Sequence, residues 1–166
     1  MFRLGVLTVS DKGSRGERED ISGRVIQELL APPDYVVERY EVVPDEQDLI
    51  ASVLTRWADQ DDLDLVVTTG GTGLAPRDVT PEATEQVIQR RAPGLAEAMR
   101  QESLKVTPMA MLSRATAGVR GRTLIINLPG SPKSVRECLG VVAPVLRHGL
   151  ELLRGQYQEH PKDARV

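Results

Sequence analysis

From Leu63 to Ala83 the chain reads LDLVVTTGGTGLAPRDVTPEA. Leu63–Thr69 reads as a strand. It runs straight into Gly70-Gly71-Thr72-Gly73, and Thr80-Pro81 then reads as the N-cap and first position of a helix carrying Val87 and Ile88. Outward from this unit the same alternation continues. Phe2–Val9 is a short, nearly continuous apolar run, as expected of a parallel strand buried on both faces, and is followed by the polar loop SDKGSRGERED. Ile21, Val25, Ile26, Leu29 and Leu30 then recur at helical spacing and stop before Pro32-Pro33. Tyr35–Val43 is rich in Val and Tyr but carries Glu38, Arg39 and Glu41, which suits a strand nearer a sheet edge. Leu49, Ile50, Val53, Leu54 and Trp57 define a second amphipathic helix. After Pro93-Gly94 a helix is expected from Leu95 to about Lys105. Ala115–Val119 and Thr123–Leu128 flank Arg120-Gly121 and predict an antiparallel hairpin. In the last helix Val135, Cys138, Leu139, Val142, Leu146, Leu150 and Leu153 share one side, and Pro144 should kink or divide it. The alternation predicts an α/β sandwich with a mostly parallel sheet and a C-terminal antiparallel hairpin. One domain is expected over residues 1–155, with a polar tail at 156–166.

Composition narrows the function. The 166 residues are 40% hydrophobic and 27% charged, with 21 Lys and Arg against 24 Asp and Glu. A net charge of −3 argues against a chain built to neutralise nucleic-acid phosphates, and 3% aromatics are too few for a base-stacking surface. Cys138 stands alone, so no intrachain disulfide is possible, and a reducing cytoplasm is expected. With only His148 and His160 beside it, a Cys/His zinc site is not expected either. The opening MFRLGVLTVSDK lacks a signal-peptide layout, and no apolar run approaches the roughly 20 residues of a membrane helix. The charge is uneven: Glu38 to Asp64 holds nine acidic and two basic residues, and Arg90 to Arg136 holds nine basic and two acidic. Such blocks either solvate a surface or form a cleft with carboxylates on one wall and cations on the other.

In such a fold, ligands sit beyond the C-terminal ends of the parallel strands. Four loops leave strand ends here: Ser10-Asp11, Pro44-Asp45-Glu46, Gly70–Thr80 and Pro129–Lys133. Gly70, Gly71 and Gly73 let backbone amides approach an anion closely, and Thr69 and Thr72 add hydroxyls. No Gly-Lys-Ser/Thr follows, so this is not a P-loop, and Pro76 breaks a dinucleotide fingerprint. Arg77 could clamp a phosphate and Asp78 could hold Mg²⁺. Asp45 is most simply a helix N-cap, yet one carboxylate oxygen could face the cleft as well. Pro129-Gly130-Ser131-Pro132 makes a rigid bend in any case, but Ser131-Pro132 would also open a helix whose free amides attract an anion. Ser113-Arg114 gains weight from lying in the basic segment, Lys133 reads as a solvated surface lysine, and Cys138 reads as core.

LTVSDKGSRGEREDISG, TTGGTGLAPRDVTPEAT and INLPGSPKSV, in that order, strongly resemble the molybdopterin adenylyltransferase family, the MogA/MoaB group, which is similar also to the G domain of gephyrin. The similarity runs from about Leu4 to Leu153. The resemblance implies a three-layer α/β/α sandwich, generally assembled as a trimer. It implies Mg²⁺-dependent joining of the molybdopterin phosphate to the AMP moiety of ATP, with release of pyrophosphate. The product passes to a molybdenum-insertion enzyme, the expected downstream partner. The family's essential carboxylates, also its metal ligands, fall on Asp45 and Asp78, and its nucleotide-phosphate loop on Thr69–Gly73. Its pterin and phosphate contacts fall on Ser10, Asp11, Ser113, Arg114, Pro129, Gly130, Ser131 and Pro132. Two other readings are a MoaB-type paralogue, suggested by the compact stretch after LPGSPKS, and a non-catalytic molybdopterin-binding or scaffold module. Retention of both carboxylates favours the enzyme.

Overall fold

In the computed structural model, which describes residues 1–156, the chain runs through β1 (Phe2–Val9), α1 (Asp11–Ser14), α2 (Ile21–Leu29), β2 (Tyr35–Val43), α3 (Gln47–Asp59), β3 (Leu65–Thr69) and α4 (Thr80–Val87). It continues through β4 (Arg90–Arg91), α5 (Pro93–Leu104), a 3-10 turn (Pro108–Leu112), β5 (Ala117–Arg120), β6 (Thr123–Leu128) and α6 (Pro132–Leu153). One sheet has the strand order β2-β1-β3-β6-β5-β4. β2, β1, β3 and β6 are parallel to one another, and the β5–β6 hairpin and β4 are antiparallel. The tail expected at 156–166 lies, apart from Gln156, outside the described residues.

Side chains alternate between the two faces of the sheet and build two cores. Leu4, Val6, Leu65, Val67, Leu124 and Ile126 pack with Val25 and Ile26 of α2, Ala96 and Met99 of α5, and the apolar side of α6. Leu7, Val66 and Ile125 pack on the opposite face with Ile50, Leu54 and Trp57 of α3 and Ala83 of α4. The result is a three-layer α/β/α sandwich, and β3 and β6 are buried along their whole length, their buried polar residues Thr68, Thr69, Thr123 and Asn127 each being hydrogen-bonded. Full burial of each such aliphatic side chain contributes about 1.5–3 kcal/mol. Gly5 interrupts β1 for a packing reason: a Cβ there would lie 2.7 Å from the Trp57 indole and 2.8 Å from Leu63.

Several local expectations change. The polar loop after β1 contains the one-turn α1, whose N-cap Ser10 accepts from the Gly13 amide. α3 starts at Gln47 after Glu46, so Asp45 is not its cap. α4 is entered from Val79, and Thr80 sits in the first turn with its hydroxyl turned elsewhere. α5 begins at Pro93, two residues before the expected Leu95. α6 is one helix across Pro144. Pro144 and Gly140, whose carbonyl it leaves without an intrahelical donor, are both exposed, so water can satisfy that carbonyl. The opposed charge blocks do meet, but at the far end of the sheet from the strand-end loops. Arg120 pairs with Asp59 at 2.6 Å and Arg122 with Asp62 at 2.8 Å, so much of the supposed cation wall is neutralised there.

Asp64, just before β3, ties three elements together. Its carboxylate accepts from the Arg3 amide at 2.7 Å and from Arg154 Nε and Nη2 at 2.7 and 2.5 Å. The Arg154 guanidinium also lies 4.4 Å over the Phe2 ring. Burial alone would raise the Asp64 pKa, but Arg154 and the Arg3 amide hold it below the ordinary carboxylate value. Asp64→Asn should therefore cost about 2 kcal/mol at neutral pH, measured by urea unfolding. The folded-state pKa lies below the unfolded one, so the stabilisation is present above about pH 4 and is lost as pH falls through the folded value. The wild-type and variant stability curves should converge on acidification.

Candidate active site

β1, β2, β3 and β6 finish at one level, with Val9 opposite Val43, Thr8 opposite Thr69 and Thr69 opposite Leu128. β1 is the strand at which the order reverses, and an open α/β sheet leaves a crevice at such a point. A cleft of about 660 Å³ lies there, lined by Ser10, Asp45, Thr69–Gly71, Asp78 and Gly130–Pro132. Two glycines make it possible. Gly70 has φ +95° and a Cβ on it would lie 2.3 Å from the Val9 carbonyl oxygen; Gly71 has φ +66° and would meet Thr80 Oγ1 at 2.4 Å.

Carboxylates dominate this cleft. Asp45 and Asp11 bind each other reciprocally: the Asp11 amide donates to Asp45 Oδ2 at 2.9 Å and the Asp45 amide to Asp11 Oδ1 at 3.0 Å. Arg77 grips Asp11 with two bonds, Nε at 2.6 Å and Nη2 at 3.0 Å. That guanidinium, helped by the Asp45 amide, holds the Asp11 pKa down at about 2. Asp45 moves the other way: burial pushes it up, and the nearby Asp11 and Asp78 charges add to this against the Asp11 amide. Asp78 Oδ2 accepts from the Ala75 amide at 3.0 Å and lies where a Cβ on Gly73 would be only 2.8 Å away, which keeps the carboxylate against the glycine loop.

The turn before α6 is fastened to the same cleft. Ser131 caps α6 by accepting from the Ser134 amide at 3.1 Å, with Pro132 in the first turn. The Pro129 carbonyl accepts from Thr69 Oγ1 and the Gly130 carbonyl from Ser22 Oγ, both at 2.7 Å. Lys133 is exposed and lies 3.9 Å from Glu137.

A smaller cavity of about 250 Å³ lies on the other side of the glycine loop and takes the remaining expected residues Thr72, Gly73, Ser113 and Pro129. Asp11 and Arg114 line neither space. Arg114 instead donates through Nε to the Gly73 carbonyl and through Nη2 to the Asp78 carbonyl, and pairs with Glu82. Cys138 borders the smaller cavity, buried as expected, with its thiol pKa pushed up by burial and its Sγ 3.7 Å from Ser103 Oγ.

Sequence reasoning missed Thr8, Asp20 and Ser22. Asp20 caps α2, accepting from the Gly23 amide at 2.8 Å, and it also takes the hydroxyls of Thr8 at 2.6 Å and Tyr40 at 2.7 Å. Burial and this bond push the Tyr40 pKa up to about 12. An aspartate immediately before the apolar Ile21 was a legible cap signal; its place in the cleft was not. No helix among the described residues is long and apolar enough to cross a membrane. Nor do they contain a cluster of three or more His, Cys, Asp or Glu side chains able to enclose a metal.

A fold with its strand ends gathered on an anion-ready glycine loop and paired aspartates defines a class, and sequence comparison gives the class a family. Residues 5–148 match the probable molybdopterin binding domain. The molybdopterin adenylyltransferase of Helicobacter pylori is 51% identical over 162 residues, covering 95% of this chain and 91% of its own. Gephyrin of Dictyostelium discoideum is 44% identical over 163 residues, which span 92% of this chain and 23% of that protein. The solved structure of the molybdopterin biosynthesis enzyme MoaB from Thermus thermophilus has a TM-score of 0.88 and 61% identity, covering 93% of this chain and 98% of that one. The chain therefore belongs to the molybdopterin adenylyltransferase family of enzymes. Within its site, Arg77→Ala should let the Asp11 carboxyl, now at about 2, titrate close to the ordinary value of about 3.9, as followed by its carboxyl-carbon NMR shift.

Proposed function

We propose that this chain transfers the adenylyl group of ATP to the terminal phosphate of molybdopterin, releasing pyrophosphate. The observation that carries the reading is the meeting, in one cleft, of a glycine loop with two aspartates from different strand ends. A phosphate of molybdopterin attacks the α-phosphorus of ATP, a new P–O bond forms, and the bond to pyrophosphate breaks. Such a step requires charge screening and in-line placement and no protein nucleophile, in keeping with the absence of a Ser/His/Asp or Cys/His arrangement among the described site residues.

In this reading the amides of Gly71–Gly73 hold the nucleotide phosphates, and Ser113 and the Ser131 turn hold the pterin or its phosphate. Asp45 and Asp78 would hold Mg²⁺. Two carboxylates without a third protein ligand suit an ion that completes its oxygen shell with water and substrate phosphates, rather than one enclosed by protein. When bound, Mg²⁺ supplies screening of phosphate charge. The reciprocal Asp11–Asp45 bonds orient the Asp45 carboxylate. Arg77 keeps Asp11 ionised.

The assembly proposed is a homotrimer acting in the cytoplasm, and its adenylylated product is consumed by a separate molybdenum-insertion enzyme. With ATP, Mg²⁺ and molybdopterin, the wild-type protein should release pyrophosphate. Asp78→Asn should lower the single-turnover rate by at least about 100-fold, the scale of losing one electrostatic stabiliser. Unchanged turnover in Asp78→Asn would remove Asp78 from the chemistry. Molybdopterin binding without pyrophosphate release by the wild type would assign the chain to a carrier role instead.

A further inference from the structure

The glycine loop is anchored at its start by the Gly70 amide, which donates to the Leu128 carbonyl at 3.2 Å, and its four carbonyls are held by two residues, Thr80 and Arg114. The Gly70 carbonyl accepts from the Thr80 hydroxyl at 2.9 Å, and the Gly71 carbonyl from the Thr80 amide at 3.1 Å. The Thr72 carbonyl accepts from the Arg114 amide at 2.9 Å, and the Gly73 carbonyl from Arg114 Nε at 2.7 Å. Among the described residues, the amides of Gly71, Thr72, Gly73 and Leu74 donate to no protein group. In a trans peptide the N–H points opposite to the C=O of the same unit. Each carbonyl fastened to Thr80 or Arg114 therefore turns the following amide away from that clamp, as a donor without a protein acceptor.

Both clamping residues are themselves restrained. Thr80 is fully buried, and its carbonyl accepts from Thr84 Oγ1 at 2.9 Å. Thr84 Oγ1 accepts in turn from Asn127 Nδ2 at 2.9 Å, and the same Nδ2 reaches Thr68 Oγ1 at 3.0 Å. A buried polar chain thus runs from β3 and β6 through α4 to the loop. A chain of this kind adds little net stability over apolar packing, while leaving any member unpaired is costly, so its main effect is to enforce one geometry. On the other side, the Arg114 fork spans the Gly73 and Asp78 carbonyls and joins the loop to the start of α4.

We propose that Thr80 and Arg114 are positioning residues that preset the four free amides, Gly71 to Leu74, for an oligophosphate before it arrives. This rests on the reading that the loop takes the phosphates of ATP. Preset donors cost no reordering when the anion binds, which converts directly into affinity.

The test is calorimetric binding of inorganic pyrophosphate and of Mg²⁺–ATP, together with separate KM values for ATP and molybdopterin. Thr80→Val should weaken pyrophosphate binding and raise the ATP KM by about tenfold, with the molybdopterin KM unchanged, and Thr80→Ser should restore both. Thr123→Val is the matched control. It removes an equally buried hydroxyl-to-carbonyl bond, to Leu63 at 2.5 Å, from the opposite end of the sheet, and should lower Tm similarly while binding pyrophosphate like wild type. Arg114→Lys keeps the charge but not the fork, and should also weaken pyrophosphate binding. It keeps the question answerable if Thr80→Val fails to fold. Wild-type affinity in Thr80→Val, with a Tm loss matching Thr123→Val, would overturn the role of Thr80; wild-type affinity in Arg114→Lys would overturn that of Arg114. If the wild-type protein itself binds neither pyrophosphate nor ATP, the reading of the loop falls and this inference with it.

Discussion

A Cβ on Gly70 would lie 2.3 Å from the carbonyl oxygen of Val9, so β1 and β3 can end side by side only because residue 70 has no side chain. The rest of the active end follows from that approach. With β3 turning immediately against β1, Asp45 from the end of β2 and Asp78 from the β3–α4 loop come to line the same cleft. The turn before α6 reaches it as well, drawn in by the Thr69 and Ser22 hydroxyls. A larger residue at 70 would separate these strand ends and divide one site into several unconnected loops.

The electrostatics of the cleft show how much two like groups can differ. Asp11 and Asp45 exchange backbone-to-carboxylate bonds almost symmetrically, yet one pKa is low and the other raised. The difference is Arg77, which hydrogen-bonds Asp11 and not Asp45, and burial, which falls mainly on Asp45. An ionised Asp11 beside a half-buried Asp45 next to Asp78 concentrates negative potential where free amides also gather. The two together suit a magnesium–phosphate ligand better than either a bare anion or a bare cation.

The strands were legible because each central parallel strand is mostly apolar and bounded by polar loops, and the hairpin because Arg120-Gly121 separates two such stretches. The four strand-end loops were legible for the same reason, since their glycines, prolines and carboxylates interrupt those runs. What misled was capping. Asp45 and Thr80 each lie at the start of a helix and carry a side chain of capping type, but Asp45 accepts from the Asp11 amide instead, and Thr80, already inside α4, donates its hydroxyl to the Gly70 carbonyl. Pro144 does not divide α6, because the carbonyl it orphans lies at the exposed Gly140. Asp20 had a visible signal as a cap, and Arg114 carried a positive charge that suggested a phosphate contact; the structure commits its guanidinium to carbonyls and Glu82 instead.

The amino-acid order by itself determined the layered α/β architecture, the parallel core and the set of loops at which a ligand would bind. These depend on hydrophobic period and on local backbone preferences, which are properties of neighbouring residues. The tertiary structure alone decided the strand order, the split of the expected residues between two cavities, and the opposite pKa shifts of Asp11 and Asp45. It also decided which side chains hold the glycine loop. Each of these depends on bonds between residues far apart in the chain, such as Ser22 with Gly130 or Arg77 with Asp11, and no local pattern specifies which distant donor reaches a given acceptor first.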